Sequence, residues 1–279
     1  MGATKDRVMD YYADQHKNSW MTQHIPPGAV EGDAIWQKYS EKYDFKMECG
    51  DFDNEDHFYG PEPDYDDDIN WSKVSDFHQY YTDFKNQLAN LSNIPAPADG
   101  ILLDVALKMR FSYAVTLMEA CLGDMLKNVT LSDDFFKRKA LAGIKPLKTT
   151  KVNLESLLGR DASELVDKEI YSELTDLLYH NIEKVNIYYS VILGFGDPHN
   201  LDLSEGLTEK VCQAVSLRHD VVHRNGRDKE GNTSLISQAI VDDYIEAIQQ
   251  YVRELYDLLD KVSYQVDLDN AQRIQQEQI

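Results

Sequence analysis

Apolar residues recur every three to four positions along most of this chain, which predicts amphipathic α-helices. No repeat of fixed period is visible. Amphipathic helices bury their apolar faces most economically by packing against one another, so the pattern predicts an all-α fold organised as a helical bundle. The predicted helices span residues 71–91, 101–128, 133–142, 163–193, 207–224 and 235–262, with another helical turn or two at 153–159.

The first third of the chain has a different character. Two short helical patterns, at 6–20 and 33–45, precede the segment 51–70, which holds nine acidic residues and no lysine or arginine. Prolines and glycine interrupt this segment, so it is predicted to be an exposed acidic loop or linker. Proline-rich residues 94–100 form the clearest boundary, with Asp99 as a helix N-cap. We therefore predict three parts: an acidic, partly helical extension of unknown family (1–95), a bundle (99–265) and a fraying polar tail (266–279).

The net charge of −21 argues against general nucleic-acid binding, because duplex affinity comes mostly from neutralising phosphates. The charge is uneven, however, and residues 1–70 carry 17 acidic against 6 basic residues. A local basic patch on an acidic protein can still bind a phosphate backbone. One basic stretch, 137–151, is interpreted as a solvated face. The other comprises Arg218, His219, His223, Arg224, Arg227 and Lys229.

Cysteine spacing and hydropathy narrow the possible settings. Cys49, Cys121 and Cys212 are widely spaced without a CxxC pair, which is typical of unpaired thiols in a reducing compartment. No apolar run reaches about 18 residues, so a cytoplasmic protein without a membrane contact is expected. The acidic loop twice resembles the start of a calcium loop, but the glycine required at the sixth position is absent. Neither a metal nor a cofactor is expected.

The most informative residues are Arg218 and His223, at the end of a predicted helix. Arg218 projects from an apolar stripe, and its permanently charged guanidinium requires an anionic partner. That partner could be Glu119 in a structural ion pair or the phosphate of a ligand. His223 lies about 140° around the helix from Arg218. Asn225 is expected to cap the helix, with Gly226 in the left-handed conformation. The stripe consists of Leu207, Val211, Ala214, Val221 and Val222.

Arg218 and His223, with polar His219 after the arginine, resemble the R-x4-H motif of the HEPN superfamily, all-α proteins that include many metal-independent ribonucleases. The resemblance covers roughly residues 99–262, with a long amphipathic helix on each side of the motif helix. It implies that two protomers pair their motif helices and leave 2′,3′-cyclic phosphate ends. It also suggests a toxin or antiphage role. Toxins of this superfamily that nucleotidyltransferase partners silence carry a tyrosine where Asn225 stands here, so that silencing mechanism is not expected, and any regulator is unidentified.

RNA supplies its own nucleophile, the 2′-hydroxyl, so a protein need only move protons and stabilise the phosphate. His223 is predicted to move the protons, and Arg218 to hold the phosphoryl oxygens. His219 would orient His223 or bind substrate, and further substrate contacts are expected from Arg224, Asn225, Arg227 and Lys229. Because Arg218 and His223 diverge on a straight helix, we expect a homodimer with a shared site. Local unwinding at 221–223, or a non-catalytic dimerisation or nucleotide- or RNA-binding module, are the alternatives.

Overall fold

The structure is a computed structural model that describes residues 66–95, 97, 100–151, 161–224, 226–227, 231 and 236–277, with five isolated residues nearer the N-terminus. The chain divides into two compact units, Met1–Asp64 and Tyr65–Ile279. The predicted helices 6–20, 33–45 and 153–159 lie wholly or largely outside the described residues and stay predictions.

The described part of the second unit is built from α-helices without a β-strand, which confirms the all-α prediction. One short 3₁₀ helix, Pro198–Leu201, precedes the helix that carries the motif. The α-helices are α1 (Asp66–Val74), α2 (Phe77–Ser92), α3 (Gly100–Ser132), α4 (Asp134–Gly143), α5 (Lys145–Thr149), α6 (Ala162–Thr175), α7 (Ile182–Ile192), α8 (Leu207–His223) and α9 (Gln238–Glu277).

Helix α3 is the centre of the bundle. Its C-terminal half is apolar on nearly every side, and such a helix is stable only when neighbours cover it all round. Helices α1, α2, α4, α6, α8 and α9 all contact α3. Two buried tyrosines satisfy their hydroxyls at the centre: Tyr189 donates to the Leu122 carbonyl at 2.8 Å, and Tyr251 donates to the Asn186 side chain at 2.7 Å. The core is therefore tied by polar contacts as well as by apolar packing.

Aspartate or asparagine side chains cap α2, α4, α6 and α7. The side chain of Asp76 accepts from the His78 amide at 2.9 Å, and that of Asp161 accepts from the Ser163 amide at 2.9 Å. Asp133 caps α4 and also accepts from Asn270 at 2.8 Å. Each cap satisfies an amide that would otherwise lack an intrahelical partner.

The predicted helix 71–91 is instead two helices, and both belong to the bundle. Asp76 caps a new helix, while the amide of Asn128 donates to the carbonyls of Ser72 and Ser75, each at 2.7 Å. Phe84 and Leu88 of α2 are buried against α3 in the common core. The predicted domain boundary near residue 95 therefore differs from the structure, in which the two units divide at Asp64.

The predicted helix 163–193 is also two helices, α6 and α7. Asn181 caps α7, and between the two helices Tyr179 donates to the Leu174 carbonyl at 2.9 Å. The ring of Tyr179 lies against Gly123 so closely that a Cβ at position 123 would be 3.0 Å from it. This long-range contact has no local sequence signal.

The polar tail is helical rather than frayed. Helix α9 continues to Glu277, well past the predicted end at residue 262. Val266 is buried, and the Asn270 side chain binds the cap of α4, so the end of α9 is anchored to the bundle.

A buried carboxylate joins three of the outer helices. Asp167 of α6 is 1% exposed, and its Oδ2 lies 2.6 Å from Nζ of Lys73 on α1. Its Oδ1 lies 2.7 Å from Nζ of Lys137 on α4, in an ion pair without hydrogen-bond geometry. Lys137, which the sequence placed on a solvated basic face, is therefore a structural partner. Removing the carboxylate would leave two poorly solvated ammonium groups facing each other.

We expect Asp167→Asn to lower the free energy of unfolding by roughly 3 kcal/mol, the scale of breaking a buried ion pair from one side. Urea unfolding followed by circular dichroism measures the change. Asp257→Asn is the matched control, since that carboxylate is exposed and 3.8 Å from Arg253, and it should alter stability by less than about 0.5 kcal/mol. Equal effects of the two substitutions would contradict the assigned role of Asp167.

Candidate functional site

Helix α8 carries the motif and leaves the core as it approaches its C-terminus. Leu207, Val211 and Ala214 are buried, whereas Val222 is 49% exposed. Val221 is partly buried against the core, so the apolar stripe predicted from the sequence is covered except at Val222.

The helix is unbroken through His223 and ends in a left-handed glycine. The amides of Arg224 and Gly226 both donate to the Asp220 carbonyl, at 3.0 and 2.9 Å. Gly226 has a φ of +77°, which confirms its predicted conformation. Asn225, the predicted cap, lies outside the described residues, as does Lys229. The alternative of local unwinding at 221–223 is wrong, because those residues are helical.

Arg218 is half-buried, and its Nε is buried without a hydrogen-bond partner. It forms no ion pair with any residue that the structure describes. The predicted pair with Glu119 is not formed, since the Oε1 of Glu119 lies 4.0 Å from Nδ1 of His180 instead. A guanidinium has five donors and cannot lose its charge, and among the described residues Arg218 has no anionic partner.

The two histidines of the motif lie together on the exposed side of α8. The rings of His219 and His223, one helical turn apart, have centroids 4.6 Å apart and planes inclined by 43°. Desolvation, followed by the positive charges of His223 and Arg224, holds the pKa of His219 below its ordinary value. The structure thus makes His219 a direct neighbour of His223.

The other predicted binding residues divide into engaged and open ones. Arg224 pairs with Asp220 one turn earlier on the helix, so its charge is partly compensated. Arg227 is exposed. Lys108 of α3 is a residue that sequence reasoning missed: a Cβ at position 226 would lie 3.2 Å from its Nζ. No local pattern links Lys108 to the motif, because tertiary packing alone brings them together.

The geometry separates Arg218 from the histidine pair within one chain. On an unbroken helix Arg218 and His223 are about 140° apart, and His219 is on the side of His223. One chain therefore carries the Arg218 guanidinium on one side of α8 and the two imidazole rings on another.

Comparisons of the chain with protein-family models, with curated proteins and with solved structures give no match. The resemblance to HEPN proteins therefore stays a prediction. Within the described ranges, no helix is long and apolar enough to cross a membrane. In the same residues, no three His, Cys, Asp or Glu side chains are grouped so as to hold a metal ion.

We expect Arg218→Met to stabilise the protein by about 1 kcal/mol, because it keeps an apolar stem while removing a buried donor that has no partner. Arg224→Met is the matched control on the same helix. Because it loses the ion pair with Asp220, it should raise the free energy of unfolding by less than about 0.5 kcal/mol or should lower it. Urea unfolding of both variants tests this. Clear destabilisation by Arg218→Met would mean that Arg218 is a structural residue.

Proposed function

We propose that this protein is a metal-independent endoribonuclease of the HEPN type, acting as a homodimer at a site composed of Arg218, His219 and His223. The observation that supports this most directly is the half-buried guanidinium of Arg218, which has no anionic partner among the described residues. An exposed pair of histidines lies on the same helix. A structural arginine would be paired, and surface histidines serving only solubility have no need of each other.

The histidine pair supplies both proton transfers of the proposed reaction. His219 is neutral near pH 7 because its pKa is lowered, so it takes the proton of the 2′-hydroxyl as that oxygen attacks the phosphorus. The bond between phosphorus and the 5′-oxygen breaks, and protonated His223 gives its proton to that oxygen. The products are a 2′,3′-cyclic phosphate and a 5′-hydroxyl, and exchange with water resets both rings.

Arg218 stabilises the negative charge that builds up on the phosphoryl oxygens. Its fork of donors matches two such oxygens, and burial strengthens the interaction. Arg227 provides further positive charge near the end of α8 for the flanking phosphates, whereas Lys108 contributes less, because its Nζ lies 2.7 Å from a carboxylate oxygen of Asp104. Arg224 contributes less, since Asp220 already pairs with it.

A two-fold axis beside α8 brings the separated groups into one site. It places the partner's Arg218 against the histidine pair of the first chain and creates the same site twice. The exposed Val222, next to His223, would lie in such a contact. A toxin or antiphage role in the cytoplasm is the biological setting that the resemblance suggests.

A non-catalytic module that binds a phosphate or nucleotide through Arg218 is the alternative function. The unpartnered guanidinium supports that function equally well. The close histidine pair favours catalysis, because binding alone has no need of two titratable rings 4.6 Å apart.

We expect the purified protein to cleave RNA in excess EDTA and to leave 2′,3′-cyclic phosphate ends, since the 2′-hydroxyl route needs only an acid and a base. Mass spectrometry of the fragments identifies the ends. His223→Gln should lower the rate by about 100-fold or more, the usual share of general acid–base catalysis. His199→Gln, remote in sequence, is the control. Activity abolished by EDTA and restored by magnesium would overturn the mechanism.

We expect inactive Arg218→Ala and inactive His223→Ala chains to regain activity when they are mixed. Each heterodimer then holds one intact shared site, so an equimolar mixture should reach roughly a quarter of wild-type activity if half the dimers are mixed. Sedimentation of the same samples checks the dimer. A mixture that stays inactive while mixed dimers form, or an active monomer, would contradict the shared site.

A further inference from the structure

A cavity lies where the end of α2 faces the first turns of α3, and no residue of α8 lines it. Its volume is about 370 Å³, within the range of small-molecule sites. Its walls are almost entirely apolar, and one charged side chain contributes to them. The residues that define it are Leu91, Ile94, Pro95, Met109, Tyr113 and Arg110.

Large apolar side chains surround this cavity and remain in contact with solvent. Ile94, Met109 and Tyr113 are 61%, 68% and 47% exposed, and Ile101 and Leu102, on the first turn of α3, are more than two-thirds exposed. Large exposed apolar patches on a protein surface often mark binding sites. The exposed apolar side chains provide the driving force for an apolar ligand.

Arg110 is the charged residue that lines the cavity. Its Nη2 lies 3.3 Å from Oδ1 of Asp242, an ion pair that joins α3 to α9. The side chain is only 17% exposed, and its Nε is buried without a hydrogen-bond partner. The tie to α9 uses one end of the guanidinium and has no need of the free Nε. Because Arg110 also lines the cavity, an anionic ligand bound there can pair with its guanidinium.

We infer that this cavity binds a small amphipathic carboxylate whose apolar body lies against Ile94, Met109 and Tyr113 and whose acid group pairs with Arg110. Asp242 already balances part of the charge of Arg110, which favours a monoanion over a doubly charged phosphate. The volume of about 370 Å³ favours a ligand with a short chain or a single ring over a peptide. This inference does not rest on the proposed nuclease activity.

Isothermal titration with octanoate and with neutral 1-octanol tests the inference on the wild-type chain. Octanoate should bind at least about tenfold more tightly, the effect of one charge-assisted hydrogen bond. Equal affinity of the two probes, or no binding of octanoate, would overturn it. This comparison needs no variant and no RNA, so it is independent of whether the protein cleaves RNA.

Two variants locate the site. Arg110→Met should remove the preference for octanoate over 1-octanol, while Arg253→Met, an exposed arginine of α9, should keep it. Ala106→Trp places a large ring in the cavity wall and should abolish binding of both probes. Circular dichroism confirms folding, and Ala106→Trp still decides the location if Arg110→Met does not fold. Binding of octanoate unchanged in Ala106→Trp would overturn the assignment.

Discussion

The burial of α3 on nearly every side is the constraint on which the rest of the bundle depends. Although its first turns are exposed, the C-terminal half of α3 is too apolar to face water, and six other helices contribute to its cover. Covering it requires α1 and α2 as well, which explains why residues upstream of the proline-rich segment belong to the bundle. The same constraint places α8 against α3 along its N-terminal part, so that α8 carries its C-terminal turns out of the core.

The position of the C-terminal turns of α8 at the edge of the core determines the environment of the candidate site. A guanidinium deep in the core would need an internal carboxylate, and one on the surface would be satisfied by water. Arg218 lies between these cases, with a buried Nε and no partner. His219 and His223 lie on the open side of the same turns, where their rings influence each other. The unsatisfied donor costs the fold about 1 kcal/mol and leaves a positive charge that an anion can pair with.

Local sequence signals predicted the helices well where a capping residue and a clear apolar stripe coincide. Predicted helices 133–142 and 207–224 agree closely with α4 and α8, and Gly226 adopts the expected left-handed conformation. The predictions were wrong where a distant residue decides the outcome. Asn128 binds the carbonyls between α1 and α2, and Gly123 receives the ring of Tyr179 between α6 and α7. The approach of Lys108 to Gly226 was equally invisible, since periodicity contains no information about which helices meet.

The central claim is that the histidine pair performs acid–base chemistry, and the pH dependence of kcat/KM for RNA cleavage tests it most directly. A base must be unprotonated, so activity should fall as the pH drops through the pKa of His219. Desolvation and the neighbouring positive charges lower that pKa, so the fall should occur below about pH 6.5, the ordinary imidazole value. The His219→Gln variant should cleave slowly and lack this inflection. An acid limb that is identical in the wild-type protein and in His219→Gln would contradict the account.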